Sequence, residues 1–378
     1  MQTILFITGG SLSGSEHCLF RLLSVFDKDK TKLILLTHYQ DYLLEYPVNV
    51  HTSYCTESYL KQRGLLEKAG RYLLPASSDS VCHAFFRKIL TKHRPDLIYI
   101  NSLTLSGDYN VFYASDIPVI LHAHPLQAFL YAFDHDMLVS RLKAAKLVVS
   151  SSLAQAEVLG WLVAGIRPEV VYPPILMREL DPQSGSRTEI RAASGIPAHA
   201  FVWTMASVYF NYNKDPVRFV ETGLMILERT NIPVHFLWIG GDPRGTAVQM
   251  AMNLAGKHGM AGHFTFTGMA GREKYIALLG ASDACMLVSF EESFSIVSAE
   301  AIALGKPVLA FDCGGVREII RKDNGLLVSA FSTEEYVKSA LWMKENHYHY
   351  DSGTMRESVR AFDLDVQGSK WQNLLETI

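Results

Sequence analysis

Long apolar runs are missing from this chain of 378 residues. Its longest charge-free stretches, Ile117–Phe133 and Ala192–Asn213, are interrupted by proline, histidine and other polar residues, so neither suits a membrane span. The opening Met1-Gln2-Thr3 carries no basic segment, and the apolar run behind it is only about five residues, which reads as a buried strand rather than a signal peptide. Cysteine is scarce. The five, at positions 18, 55, 82, 285 and 313, include no pair at metal-ligand spacing, so reduced thiols in a cytoplasmic protein are expected. Excess charge of one sign is lacking too: 35 basic against 38 acidic residues give a net of −3, no footprint for a nucleic-acid partner. Glycine and proline are ordinary at 26 and 14, and 48% hydrophobic with 19% charged residues excludes intrinsic disorder.

What is present is an alternation. Short apolar runs (Ile4–Ile7, Leu33–Leu36, Leu97–Ile100, Val119–Leu121, Leu147–Val149) are separated by helical patterns such as Glu16–Val25 and Val81–Lys92. Continuous runs of this kind suit strands covered on both faces, hence a doubly wound parallel α/β sheet. The pattern restarts after Pro173-Pro174 with Phe201–Met205, His235–Ile239, Phe264–Thr267, Cys285–Val288, Pro307–Ala310 and Gly325–Val328. Helical patterns between these include Pro216–Arg229, Thr246–His258, Arg272–Ala281 and Val297–Leu304. Two α/β halves joined near Val170–Leu180 are expected, with ligands at the carboxyl ends of their strands.

The loops after the strands therefore carry the chemistry. Gly9-Gly10-Ser11-Leu12-Ser13-Gly14-Ser15-Glu16 is a small-residue loop feeding a helix, able to approach a phosphate or sugar or simply to turn the chain. It is neither a dinucleotide fingerprint nor a P-loop, which leaves a dehydrogenase without support. His122 and His124 come after another strand; strand alternation would send them to opposite faces, and no third residue completes a metal site. Each reads equally as a buried, hydrogen-bonded histidine. Glu292 and Glu300 straddle a helix start at Glu291-Glu292-Ser293-Phe294-Ser295-Ile296-Val297-Ser298-Ala299-Glu300. Two carboxylates suit adjacent hydroxyls, and the N–H groups of residues 293–296 suit an anion. The alternative is a capped helix with solvated acids.

This segment resembles the E-x7-E motif of the retaining glycosyltransferases of family 4. Gly305-Lys306-Pro307-Val308, Gly314-Gly315-Val316-Arg317-Glu318-Ile319-Ile320 and Asn324-Gly325-Leu326-Leu327-Val328 are similar to the family's residues downstream of that motif. Ser13-Gly14-Ser15-Glu16 resembles that family's G-G-x-E loop, and Pro118–His124 resembles the strand ending in its active-site histidine. The resemblance implies a GT-B fold: two Rossmann-like, doubly wound domains facing across a cleft that closes around the donor. It implies an acceptor-side domain over 1–172, a nucleotide-sugar-binding domain over 173–358 and a terminal helix over 359–378 crossing back. It further implies a metal-independent retaining transferase using a nucleotide-diphosphate sugar, with no cofactor and with a sugar or lipid-linked acceptor in surface polysaccharide or glycolipid synthesis.

The catalytic set implied is His124 at the donor sugar, Lys214 at the diphosphate and Glu292 at the sugar hydroxyls. The donor-binding set is Gly14 at the donor phosphate or sugar, Ser207 where the family has its arginine, Gly268 with Met269 at the base, Ser293, Phe294, Ser295 and Ile296 at the helix start, and Glu300 at the ribose. Departures are visible. Ala206-Ser207 stands where the family has Gly-Arg, the loop to Lys214 is about two residues longer by comparison with the family pattern, and Ser13 and Ser295 replace glycines. The stretch 59–74 interleaves basic with apolar residues, suiting either the core or an anionic membrane surface, and so leaves a peripheral position on the inner face of the plasma membrane open. A nucleotide-sugar epimerase on the same fold and a non-catalytic sugar-nucleotide binder are the alternative readings.

Overall fold

The computed structural model describes residues 1–9, 14–27, 29–39, 50–61, 78–181, 186–208, 210, 213–329 and 331–378. Most of the basic amphipathic stretch 59–74 lies outside them. The chain divides into two compact units, Met1–Pro174 with Leu364–Ile378, and Ile175–Asp363.

In the first unit the strands are β1 (Gln2–Thr8), β2 (Thr31–Thr37), β3 (Thr52–Cys55), β4 (Leu97–Ile100), β5 (Val119–Ala123), β6 (Leu147–Ser150) and β7 (Glu169–Val170). They form one parallel sheet in the order β3-β2-β1-β4-β5-β6-β7. Successive residues of β1 go to opposite faces: Leu5 and Ile7 join one apolar cluster, Ile4 and Phe6 the other. That is why the strand reads as an uninterrupted apolar run. The edge strands β3 and β7 went unread, because Thr52-Ser53-Tyr54-Cys55 and Glu169-Val170 are too short or too polar to stand out.

The carboxyl-terminal helix Leu364–Glu376 belongs to this unit. Trp371, fully buried, packs against Phe6, Phe26 and Tyr99 and donates its indole N–H to the Tyr99 hydroxyl at 3.0 Å. The chain leaves the unit after Pro174, whose carbonyl accepts from Arg21 at 2.7 Å, and returns after Asp363. These crossings lie two and five residues beyond the expected 172/173 and 358/359 boundaries. The cause is local: Ile175 already bonds to the Phe362 carbonyl at 2.8 Å inside the second unit.

The second unit holds β8 (Phe201–Ala206), β9 (Val234–Ile239), β10 (Phe264–Phe266), β11 (Ala284–Leu287), β12 (Val308–Phe311) and β13 (Gly325–Val328). Its parallel sheet runs β10-β9-β8-β11-β12-β13. Both sheets reverse winding once, between β1 and β4 and between β8 and β11. In this topology ligands bind at that switch point, beyond the carboxyl ends of the strands.

Candidate functional site

At the second switch point three strand ends converge. Lys214 sits in the loop after β8, one residue before Asp215, which caps the helix Pro216–Leu227 by accepting from Val217 N at 2.8 Å. Proline at the first helical position and an aspartate cap fix where that helix starts, and so where Lys214 stands. The Lys214 ammonium pairs with the Glu292 carboxylate and lies 3.0 Å from the Ser289 hydroxyl. Asn213 holds the two loops together: its Nδ2 donates to the Glu291 carbonyl at 2.6 Å, and its Oδ1 accepts from Glu291 N at 2.8 Å. Glu292 is tied from the other side, its N–H to the Cys313 carbonyl at 2.8 Å and its carbonyl to Gly315 N at 2.7 Å. Burial pulls the Lys214 ammonium down to about 8 from the ordinary lysine value.

The helix Ile296–Ala303 comes directly after. Ser295 caps it, its hydroxyl facing Ser298 N at 3.4 Å, and adopts φ +96°. Positive φ is where a glycine sits without penalty, so the serine holds the turn at a cost of about 1 kcal/mol. Phe294 is in the core, its ring 5.0 Å from that of Phe362, so it can meet a ligand only through its backbone. Ser293 and Ile296 are half-buried at the helix start, where first-turn N–H groups lack intrahelical acceptors.

Glu300 is neither a solvated acid nor an open carboxylate. It is 2% exposed and accepts from Arg272 Nη1 and from the Tyr275 hydroxyl, each at 2.8 Å. Burial, the largest single influence, opposes the Arg272 charge, but Glu300, Tyr275 and Glu179 together outweigh it and hold the guanidinium above its usual pKa. Arg272 also donates to Glu179 at 2.9 Å. A ribose diol reaching Glu300 has to share it with both partners. Arg272 and Tyr275 were not read as part of this arrangement; their spacing of one helical turn was the available signal.

Ser207 and Gly268 come together through a residue that went unread, Gly240. Ser207 N donates to the Ile239 carbonyl at 3.0 Å, and Gly240 N donates to the Gly268 carbonyl at 3.0 Å. Gly240 has φ +107°, and a Cβ there would lie 2.4 Å from the Ser207 carbonyl oxygen, so no other residue fits. The double glycine after β9 was the signal. Met269 beside it is 54% exposed. Arg218 is engaged nearby: it donates to the Val288 carbonyl at 2.9 Å and lies 3.0 Å above the Phe290 ring.

The first unit gathers a different set at the ends of β1, β4, β5 and β6. β5 stops at Ala123, so strand alternation does not extend to His124, and the rings of His122 and His124 lie 4.1 Å apart rather than on opposite faces. His122 is fully buried, its Nδ1 2.6 Å from the Tyr99 hydroxyl. His124 is half-buried. Its Nε2 lies 2.9 Å from Asn101 Oδ1 and its Nδ1 3.0 Å from the Ser151 hydroxyl. Burial pushes His124 down to about 3, so the ring is neutral. Gly14 opens the helix Gly14–Leu23 and is exposed.

Among the described residues no three or more histidine, cysteine, aspartate or glutamate side chains group to hold a metal. Asp-x-Asp triplets nevertheless occur in the chain, and each serves local structure. Asp27 accepts from Asp29 N, Asp134 from Met137 N and Asp363 from Met177 N. The cysteines are unbridged, and burial pushes Cys285 and Cys313 up to about 12. No helix among the described residues is long and apolar enough to cross a membrane.

Residues 186–358 match the model of the family described as glycosyl transferases group 1. The D-inositol 3-phosphate glycosyltransferase of Rhodococcus erythropolis is 30% identical over 174 residues, 45% of this chain and 39% of that protein. The chain thus aligns with well under half the length of the curated relatives it matches. Among solved structures, Anabaena HepE in complex with UDP superposes with a TM-score of 0.79 at 18% identity, over 100% of both chains. Sucrose-phosphate synthase of Thermosynechococcus elongatus gives 0.77 at 17% identity, over 100% of this chain and 99% of that one. These likenesses show the fold: two Rossmann-like domains of the GT-B class.

Proposed function

We propose that the protein is a retaining glycosyltransferase acting in the cytoplasm. It moves a sugar from a nucleotide-diphosphate sugar to a sugar or lipid-linked sugar acceptor, as in building a surface polysaccharide or glycolipid. The observation that carries this reading is the Lys214–Glu292 pair, clamped by Asn213 at the switch point of the unit that matches the group 1 transferases. An ammonium held beside a carboxylate and a helix start offers a cation and N–H donors to a diphosphate and an acceptor to sugar hydroxyls.

In the transfer, the bond from the anomeric carbon to the diphosphate oxygen breaks as the bond to the acceptor oxygen forms on the same face. The acceptor proton passes to the departing diphosphate oxygen. Negative charge grows on that diphosphate, and Lys214 with the helix start at Ser293–Ile296 stabilises it without a metal. His124, neutral and with both ring nitrogens bonded, supplies position rather than a proton. Glu300, through Arg272 and Tyr275, orders the ribose side. A non-catalytic binder is the second reading, favoured by Ser207 standing where the resemblance expects an arginine.

The test incubates the protein with UDP-, GDP- and ADP-sugars against a panel of acceptors. UDP-glucose, the ligand of HepE, and inositol phosphate, the acceptor named for the curated relatives, come first. Expected are nucleoside diphosphate release that depends on an acceptor, retained anomeric configuration by NMR, and activity that survives EDTA. Donor binding without turnover favours the binder, epimerised donor favours an epimerase, an inverted product removes the retaining mechanism, and loss to EDTA with rescue by magnesium removes the metal-free one.

A further inference from the structure

The polar groups of the first switch point form one directed chain of hydrogen bonds, and its direction decides the state of His124. Glu16, as a carboxylate, only accepts; it takes the Thr8 hydroxyl at 3.0 Å on one oxygen and the Ser15 hydroxyl at 2.8 Å on the other. Having given its proton to Glu16, Thr8 Oγ1 faces Asn101 Nδ2, at 3.4 Å, as an acceptor. The same Nδ2 donates to the Ser15 carbonyl at 3.1 Å, and a carbonyl cannot donate in return. Two independent acceptors therefore fix which end of the Asn101 amide is nitrogen. Its Oδ1 is left facing His124 Nε2 at 2.9 Å, so that ring nitrogen must carry the hydrogen. His124 Nδ1 is then a lone pair, and the Ser151 hydroxyl, 3.0 Å from it, has a single hydrogen to divide between that nitrogen and the Ala123 carbonyl at 3.1 Å, so the orientation of the Asn101 amide is what sets the tautomer.

We propose that Asn101 is a positioning residue for the transfer, locking His124 in the Nε2–H tautomer and tying it to the Gly14–Glu16 helix start. The proposal rests on the transferase reading for its kinetic consequence and on hydrogen-bond geometry alone for the tautomer. The amide is fully buried with both N–H donors and its oxygen used, so it costs little to bury and cannot rotate without losing all three bonds. Thr8 ends β1 and Asn101 comes directly after β4, the two strands of the switch point, and Asn101 N is pinned to the Ile7 carbonyl at 2.8 Å. The loop and the histidine thus share one rigid connection. What His124 can offer a ligand is its carbon edge and its backbone, not a proton.

The experiment is nitrogen NMR of protein labelled at histidine, with the His124 signals identified by their loss in His124→Asn. In the unaltered protein they are expected to show a protonated Nε2 and a bare Nδ1, unchanged between about pH 5 and pH 8. Asn101→Asp replaces the amide by a group that cannot donate, beside the same ring. His124 then becomes titratable in that range, and kcat falls on the order of tenfold or more while the donor KM moves less. Thr8→Val keeps the shape and removes one of the two bonds that orient the amide, so a mixture of tautomers and a smaller loss of kcat are expected. It serves if the aspartate variant does not fold. A protonated Nδ1 in the unaltered protein overturns the proposal, as does a folded Asn101→Asp protein with unchanged kcat and His124 signals. If no nucleotide sugar is turned over at all, the transferase reading fails while the tautomer is still decided.

Discussion

The two switch points share a topology and differ in chemistry. The one in the second unit is built from charges: Lys214 against Glu292, and Arg272 between Glu179 and Glu300. The one in the first unit is built around neutral groups, Thr8, Asn101, His124 and Ser151, with Glu16 as its carboxylate, satisfied by hydroxyls. The difference fits a division of labour in the proposed transfer. Charge change at a departing diphosphate is answered by fixed charges and dipoles, whose effect is large in a partly desolvated site. Orientation of a sugar is answered by short, directional bonds that hold a side chain in one state.

Removing a charge from the second unit is expected to have the largest effect. Lys214→Ala should lower kcat by on the order of a hundredfold, about 3 kcal/mol, with donor affinity reduced less, measured by steady-state kinetics and calorimetry. A variant with unchanged kcat would break the comparison, because the charged cluster would then hold structure rather than chemistry.

Next comes Glu300→Ala, which strips Arg272 and Tyr275 of their shared acceptor. Because Arg272 is partly exposed, the loss of unfolding free energy in urea should be about 2 kcal/mol rather than the full price of breaking a buried pair. A weaker affinity for the cognate nucleoside diphosphate accompanies it if the carboxylate also holds the ribose. Unchanged affinity in a folded variant confines Glu300 to a structural role.

The pH profile sharpens the comparison further. Lys214, lowered by burial to about 8, is charged below that value and neutral above it. Hence kcat/KM for the donor should fall as pH rises through about 8, and Lys214→Arg should move this limb upward. His124, lowered to about 3, should contribute no limb near neutrality. A limb near pH 6.5 that vanishes in a His124 variant would contradict the neutral first unit.

The smallest effect expected is at Ser295. Ser295→Gly relieves the strain at φ +96° and gives up the hydroxyl cap, worth a few tenths of a kcal/mol against glycine. The variant should be more stable by about 0.5 kcal/mol, read from its midpoint in urea.

Much of the fold was legible. All six strands of the second unit were read from the sequence, and the four central ones, β8, β9, β11 and β12, are buried throughout, because a strand covered on both faces needs no alternation to announce itself. Glu292 and Glu300 were legible as two carboxylates straddling a helix start, and Lys214 only through the resemblance to the family-4 transferases. Their pairing was not. Glu292 and Glu300 looked alike at eight residues' separation, yet one faces Lys214 and the other Arg272 and Tyr275. Asn101 and Asn213 carried no signal, being single amides in loops whose partners lie 23 and 78 residues away.

The sequence by itself determined the alternation of strands and helices, the winding of two sheets and the place of the loops after each strand. These depend on local periodicity, which neighbouring side chains impose on a short segment. Only the tertiary structure decided which carboxylate meets which cation, which nitrogen of His124 holds the hydrogen, and that Trp371 from the far end of the chain completes the first unit's core. Those outcomes depend on atoms brought within about 3 Å across many residues of chain, and hydrogen bonds that short are set by the packed fold rather than by spacing in the sequence.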